Sequence, residues 1–216
     1  WHMSKTILLF GAHSDDQVYG AGATLAKYHD LGYNIVVVIF SYGEKSHVWL
    51  KPHIIRKIRE KESIAAGAVI GYKDIIFLGV EEGKFLKDAI RLGLYQRVED
   101  IIRKYEPEKI FLHSHDEIHK DHREVNIIVM KVINRMKYNG EIYLFDVWNI
   151  FSLKRRVIPR VFVNIDDYFS KKVEALKLFK SQKITHLSLF WTVYMKAVIN
   201  GFISNSRFAE KFLRIR

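Results

Sequence analysis

Short, β-branched apolar runs alternate along the chain with longer stretches of helical periodicity, and this alternation restricts the fold more than any other feature. The runs are Lys5–Gly11 (KTILLFG), Asn34–Phe40 (NIVVVIF), Asp74–Leu78 (DIIFL), Lys109–His113 (KIFLH), Glu141–Phe145 and Arg160–Ile165 (RVFVNI). Apolar spacing predicts helices over Ala21–Leu31, Pro52–Ile70, Asp88–Lys104, Asp121–Tyr138, Tyr168–Ser181 and Leu187–Gly201. A strand that is apolar at nearly every position is buried on both faces, and consecutive strands joined through helices run parallel. The expectation is an α/β fold of three layers, with a mostly parallel sheet flanked by helices. The 216 residues carry no repeat or linker, so residues 4–216 read as one domain, with Trp1-His2-Met3 as a cloning remnant.

Composition removes several kinds of chemistry. Hydrophobic residues make up 49% of the chain, enough for a packed core, and there is no cysteine, which excludes disulfides, thiolate-bound zinc, iron–sulfur clusters and thiol nucleophiles. A catalytic metal would have to sit on His, Asp or Glu. The formal charge of +11 favours anionic partners such as phosphates, acidic glycans, nucleic acid or an anionic membrane surface, but the excess is spread over Arg56–Lys61, Lys154–Arg160, Lys171–Lys183 and the tail, as on a solvated lysine-rich surface. No aromatic-interleaved basic platform is present, so no nucleic-acid partner is expected. Leu187–Ile203 is the most apolar window, yet Lys196, Asn200 and its shortness make it a core helix and not a membrane span. The segment Leu187–Phe202 also suits an interface, leaving a homo-oligomer open. With no secretory pattern at the start, the expected compartment is the cytoplasm.

In parallel α/β sheets the ligand crevice lies beyond the carboxyl ends of the strands. Two of those ends are rich in polar groups. The first run leads into Ala12-His13-Ser14-Asp15-Asp16-Gln17. His13 and Asp16, three apart, can converge on one point as metal ligands, leaving Asp15 beside the ion to take a proton from water. Helix capping by Asp15 or Asp16 is the bland alternative. Gly20 and Gly22 lie too far past the strand, and lack the third glycine, for a dinucleotide loop. The fourth run leads into His113-Ser-His115-Asp116-Glu117-Ile-His119-Lys-Asp121-His122, four of the ten histidines within ten residues. Imidazoles interleaved with carboxylates supply both metal ligands and the groups that orient them.

These motifs, in order at two strand ends, resemble the PIG-L/LmbE family of zinc-dependent N-acetylglucosaminyl-type deacetylases. The family opens A-H-P-D-D-E, against Ala12-His13-Ser14-Asp15-Asp16-Gln17. Its second motif, H-S-x-x-D-x-H-x-D-H, aligns with His113–His122, with Glu117 at the usual aspartate. Arg59-x-x-Glu62, Phe77-Leu78-Gly79, Lys172-x-x-Ala175-Leu176 and Arg207–Phe212 resemble further family blocks, so the likeness spans nearly the whole chain. It implies a Rossmann-like, LmbE-like deacetylase domain with zinc, or another divalent metal, on His13, Asp16 and His122. It further implies Asp15 as general base, His119 at the oxyanion or leaving amine, Asp121 orienting a histidine, and Arg59 on the substrate side. His113 and His115 have no assigned role. Ser14 in place of proline is expected to loosen the turn, and Gln17 in place of glutamate removes a charge. The implied substrate is an N-acetylated amino sugar or its conjugate. An amidase or esterase acting on a non-sugar acyl group, and a catalytically decayed sugar- or nucleotide-binding domain, are the alternatives.

Overall fold

The computed structural model describes residues 5–44, 51–149 and 158–216. Trp1-His2-Met3 and most of the Lys154–Arg160 charge run lie outside the described residues. Seven strands form one sheet: β1 (Thr6–Gly11), β2 (Asn34–Ile39), β3 (Tyr72–Phe77), β4 (Lys109–His113), β5 (Glu141–Phe145), β6 (Arg160–Asn164) and β7 (Ala209–Arg214), in the order β3-β2-β1-β4-β5-β7-β6. The first five in that order pair in parallel, and β7 pairs antiparallel with both β5 and β6. All six expected strands are present.

The helices are α1 (Asp16–Asp30), α2 (Pro52–Ile70), α3 (Phe85–Asp88), α4 (Leu94–Tyr105), α5 (Lys120–Met136), α6 (Phe169–Lys177) and α7 (Lys183–Ile203). Alternate residues of each central strand feed opposite faces, as the pleat requires. Ile7 and Leu9 pack with α1, α2, α6 and α7, whereas Leu8 and Phe10 pack with α3, α4 and α5. Burying each such side chain contributes about 1.5–3 kcal/mol, so the continuous apolar character of β1 and β2 commits them to the middle layer.

Three expectations need correction. Helix α1 begins at Asp16, five residues before Ala21, because the polar DDQ segment forms its first turn at the sheet's edge. The span Asp88–Lys104 is broken into α3 and α4 at Gly93, whose φ of +60° lies outside the helical region. Strand β7 was not expected: its sequence AEKFLR carries three charged residues. Glu210 is nevertheless buried there, because its carboxylate accepts from Ala23 N (3.3 Å), Thr24 N (2.8 Å) and Lys172 Nζ (2.6 Å). The glycines of α1 serve packing: a Cβ on Gly20 would overlap the Phe145 ring. Helix α7 buries Leu189, Val193 and Ala197 while exposing Trp191, Val198 and Phe202. No helix among the described residues is long and apolar enough to cross a membrane.

At the amino ends of the strands, Glu108 receives Lys5 (2.8 Å), Lys109 (3.0 Å) and the Tyr33 hydroxyl (3.1 Å). Lys5, and then Lys109 and Tyr33, outweigh partial burial and hold the Glu108 carboxyl at about 2, below its ordinary 4.5. A depressed carboxyl stabilises the fold above its unfolded-state value and loses that contribution as it protonates. Glu108→Gln should therefore melt below the wild type at neutral pH, with the gap closing as pH falls from 4.5 towards 2; a gap independent of pH in melting curves would contradict this.

Candidate metal centre

Parallel pairing of β1 with β4, with Phe10 opposite Leu112, brings the two polar strand ends to the same edge of the sheet. Beyond β1 the chain turns at once into α1, whose first helical residue is Asp16. Asp15 occupies the N-cap by backbone position, but its carboxylate caps nothing. The capping alternative is therefore not what holds this turn; Asp16 Oδ2 instead accepts from His13 N at 2.7 Å. Beyond β4 the chain loops to His119, which caps α5 by accepting from Asp121 N on Nδ1 (3.2 Å). In a neutral ring that accepting nitrogen leaves the proton on Nε2, free to donate towards the pocket.

The side chains from the two ends interlock. Asp16 lies 3.5 Å from His13 Nδ1, 3.2 Å from His113 Nε2 and 3.3 Å from His122 Nε2. Asp121, expected to orient a histidine, contacts His13: its Oδ2 is 3.2 Å from His13 Nε2 and also accepts from Gly83 N at 3.0 Å. The His13 ring stands 5.0 Å from His119 and 5.5 Å from His122, centroid to centroid, and His113 stacks on His122 at 3.9 Å. Glu117 spans two structures. Its Oε1 accepts from Val147 N and from Trp148 N (2.9 Å), and its Oε2 lies 3.7 Å from His122 Nδ1.

All six residues expected at the metal and its chemistry, His13, Asp15, Asp16, His119, Asp121 and His122, converge here. Three groups of side chains offer atoms close enough to share an ion: His13/His119/His122, Asp16/His113/His122 and His13/Glu82/Asp121. His122 belongs to two of them, whereas His13 and Asp16 fall in different ones. His113, left without a role by its motif, is fully buried in the cluster, while His115 is exposed and belongs to none of these groups. Glu82 was missed altogether. The one available signal was its position just past β3, a third strand end at the same edge.

The residues fit a divalent cation. His122 is fully buried, and its ring nitrogens face Asp16 and Glu117 at 3.3 and 3.7 Å without making a well-aligned hydrogen bond, an arrangement that a shared cation would complete. A donor set of imidazoles and carboxylates without sulfur suits zinc and neighbouring divalent metals. Electrostatics agree with a site built to hold positive charge. Burial alone would lower His13, but Asp121, Asp16 and Glu82 overrule it and push the ring up to about 10. Asp16 lies well below the ordinary carboxylate range, because His122 and His113 outweigh its burial. His113 is pulled down to about 4 by burial and by His122. Asp15 is raised, by burial first and by Asp16 second, against Arg59 and His13.

The cluster floors a cavity of about 120 Å³ whose lining includes Asp15, Tyr19, Arg59, Glu82, His119 and Trp148. Arg59 is almost wholly buried and donates to Tyr42 O at 2.9 Å. At the turn, the Ser14 carbonyl accepts from Gln17 Nε2 and Ser63 Oγ, both at 2.8 Å. The Gln17 bond goes to the backbone of residue 14 and not to the serine hydroxyl, which is buried without a hydrogen-bond partner; a glutamate at position 17 would set an acceptor against that carbonyl.

A family model described as "PIG-L: GlcNAc-PI de-N-acetylase" matches residues 8–133. The chain belongs to the PIG-L family. Over 189 residues it is 26% identical to a Bacillus cereus protein named probable N-acetyl-alpha-D-glucosaminyl L-malate deacetylase 2, covering 83% of this chain and 84% of that one. It is also 26% identical over 222 residues to the 4-oxalmesaconate hydratase of Pseudomonas putida, covering 94% and 82% of the two chains. In fold it is similar to the N,N'-diacetylchitobiose deacetylase of Pyrococcus horikoshii, with a TM-score of 0.81 at 21% identity, over 98% of this chain and 84% of the other.

Two outcomes follow. Elemental analysis after dialysis against zinc should find the ion in the wild type and not in His122→Asn; retention by the variant would remove His122 from the ligands. Gln17→Glu should lower stability by about 1–3 kcal/mol, the cost of leaving a buried acceptor unpaired, in chemical denaturation; a neutral result would mean the Ser14 carbonyl is held adequately by Ser63.

Proposed function

We propose that this PIG-L family member is a zinc-dependent hydrolase that removes an acetyl group from an N-acetylated amino sugar or its conjugate, acting in the cytoplasm. The observation that carries the reading is the juxtaposition at the pocket floor: a buried His122 whose ring nitrogens make no hydrogen bond but face Asp16 and Glu117, close to His13, and an Asp15 carboxylate that caps no helix and lines the same pocket. His13, Asp16 and His122 are the proposed ligands, with His113 close enough to Asp16 to join or support them. Once bound, the ion would polarise the amide carbonyl and acidify a water.

The chain's own residues do the rest. Asp15 takes a proton from the attacking water. His119, with its proton on Nε2, donates to the oxyanion or to the departing amine. Asp121 fixes the His13 ring, and Glu117 holds both His122 and the Val147–Trp148 backbone that walls the pocket. Arg59 faces the substrate side next to Asp15.

A second reading, hydration of an unsaturated carboxylate, is favoured by the similarity to the Pseudomonas hydratase. The pocket's composition weighs against it. Among the described residues its lining holds three carboxylates, Asp15, Asp16 and Glu82, with Arg59 as the only arginine or lysine, a less favourable surrounding for a polyanionic reactant than for a neutral acetamide. Acetate release from N-acetylhexosamine derivatives, set beside loss of ultraviolet absorbance from an unsaturated dicarboxylate, separates the two; turnover of the second alone would overturn the proposal. Asp15→Asn should keep its zinc and lose about 10²–10⁴-fold in kcat, the usual contribution of a positioned base. His119→Gln should lose about 10²–10³-fold, as for a missing oxyanion donor. Full activity in Asp15→Asn would mean that another group is the base.

A further inference from the structure

A second cavity, of about 220 Å³ against about 120 Å³ at the metal centre, lies between α7 and the strands β6 and β7. Tyr19 and Val147 line both cavities, so the two share a rim. The charges facing the larger one do not cancel. Lys172, Lys196, Lys211 and Arg160 meet Asp146 and Glu210. Glu210 is already engaged by Lys172 (2.6 Å) and by the backbone of Ala23 and Thr24, and Lys172 also donates to Tyr19 O at 2.7 Å. Lys211 and Lys196 share the one remaining carboxylate, Asp146. With Arg160 added, the cavity carries a surplus of positive charge. Lys196 is half-buried and held by neutral carbonyls, Val147 O at 2.8 Å and Asp146 O at 3.4 Å. Its burial, partly countered by Asp146 and Glu117, brings the ammonium down to about 8. The remaining wall, formed by Phe162, Val193, Ala197 and Ile203, is apolar.

A half-buried cation that only carbonyls hydrogen-bond, and that shares the nearby Asp146 carboxylate with Lys211, is incompletely compensated, and an anion with an apolar neighbour would complete it. We propose that this cavity is a second binding site, which takes a carboxylate or phosphate carried on the part of the substrate remote from its acetamido group. The assignment rests on the deacetylase reading for the identity of the substrate, but the anion site is defined by Lys196 and Arg160 alone. A conjugate bound this way crosses the Tyr19–Val147 rim, with its acetamido group at the metal centre and its anionic end under α7. A neutral N-acetyl sugar would leave the larger cavity unfilled.

The test uses the zinc-loaded full chain and two variants, Lys196→Met, which keeps the length of the side chain, and Arg160→Met at the exposed first position of β6, which is not expected to disturb folding. Specificity is compared for N-acetylglucosaminyl L-malate and N-acetylglucosamine 6-phosphate against methyl N-acetylglucosaminide. The wild type should prefer at least one anionic substrate, and its preference should fall about tenfold in each variant, the scale of one lost charge-assisted contact. A preference unchanged in both variants, even with a uniform loss on all three substrates, would overturn the site and leave Lys196 with a structural role. Calorimetric titration with L-malate and with inorganic phosphate reads the site without turnover and distinguishes the two anions. Weakening of either by about tenfold in the variants supports the proposal, and equal binding by all three proteins refutes it. If no substrate is deacetylated while anion binding still depends on Lys196 and Arg160, the deacetylase reading fails and the anion site stands.

Discussion

Parallel pairing of β1 with β4 is the constraint on which the centre depends. Residues 7–10 lie opposite residues 109–112, so the first polar residue beyond each strand emerges at the same edge, although the two are about a hundred positions apart in sequence. Ala12 N then donates to His113 Nε2 at 3.1 Å, a bond across the strand ends that locks one motif to the other before any ion is considered. Both motifs also enter helices at once. Asp16 and Asp121 lie in the first turns of α1 and α5, where the positive end of the helix dipole favours a carboxylate. The same geometry that satisfies two helix starts thus delivers the acids to the cluster.

Much of this was legible because it is local. Strand positions follow from β-branched apolar runs, and the two clusters announce themselves by the density of imidazole and carboxylate at predicted strand ends. Less legible was whatever depends on partners distant in sequence. β7 reads poorly as a strand because Glu210 is charged, and its burial is tolerable only through Lys172 and the Ala23 and Thr24 amides. Glu82 is one carboxylate in a surface-like stretch, and only its 3.9 Å approach to His13 gives it meaning. His113 belongs to a motif, yet its stacking on His122 needs the loop between them to close. Gln17 and Ser14 looked like weaknesses when each was compared singly with the family pattern. The Gln17 amide nevertheless holds the backbone carbonyl of residue 14, a role the motif comparison could not show.

The buried charges of the centre also bear on stability. Asp15, Asp16, Glu117 and Asp121 are all nearly inaccessible, and each buried ion costs several kcal/mol unless it is paired. The histidines repay part of this only when protonated. His113 resists, held down to about 4 by burial and by His122, while His13 readily accepts a proton at neutral pH because three carboxylates face it. Protons therefore balance the cluster unevenly. A divalent cation can balance it without that conflict, because it binds neutral imidazole and ionised carboxylate together. Its binding free energy is then also folding free energy, drawn from the same side chains that carry the chemistry. On this view the residues of the centre are retained at a cost to the metal-free fold, and the ion that makes them reactive also compensates for their burial.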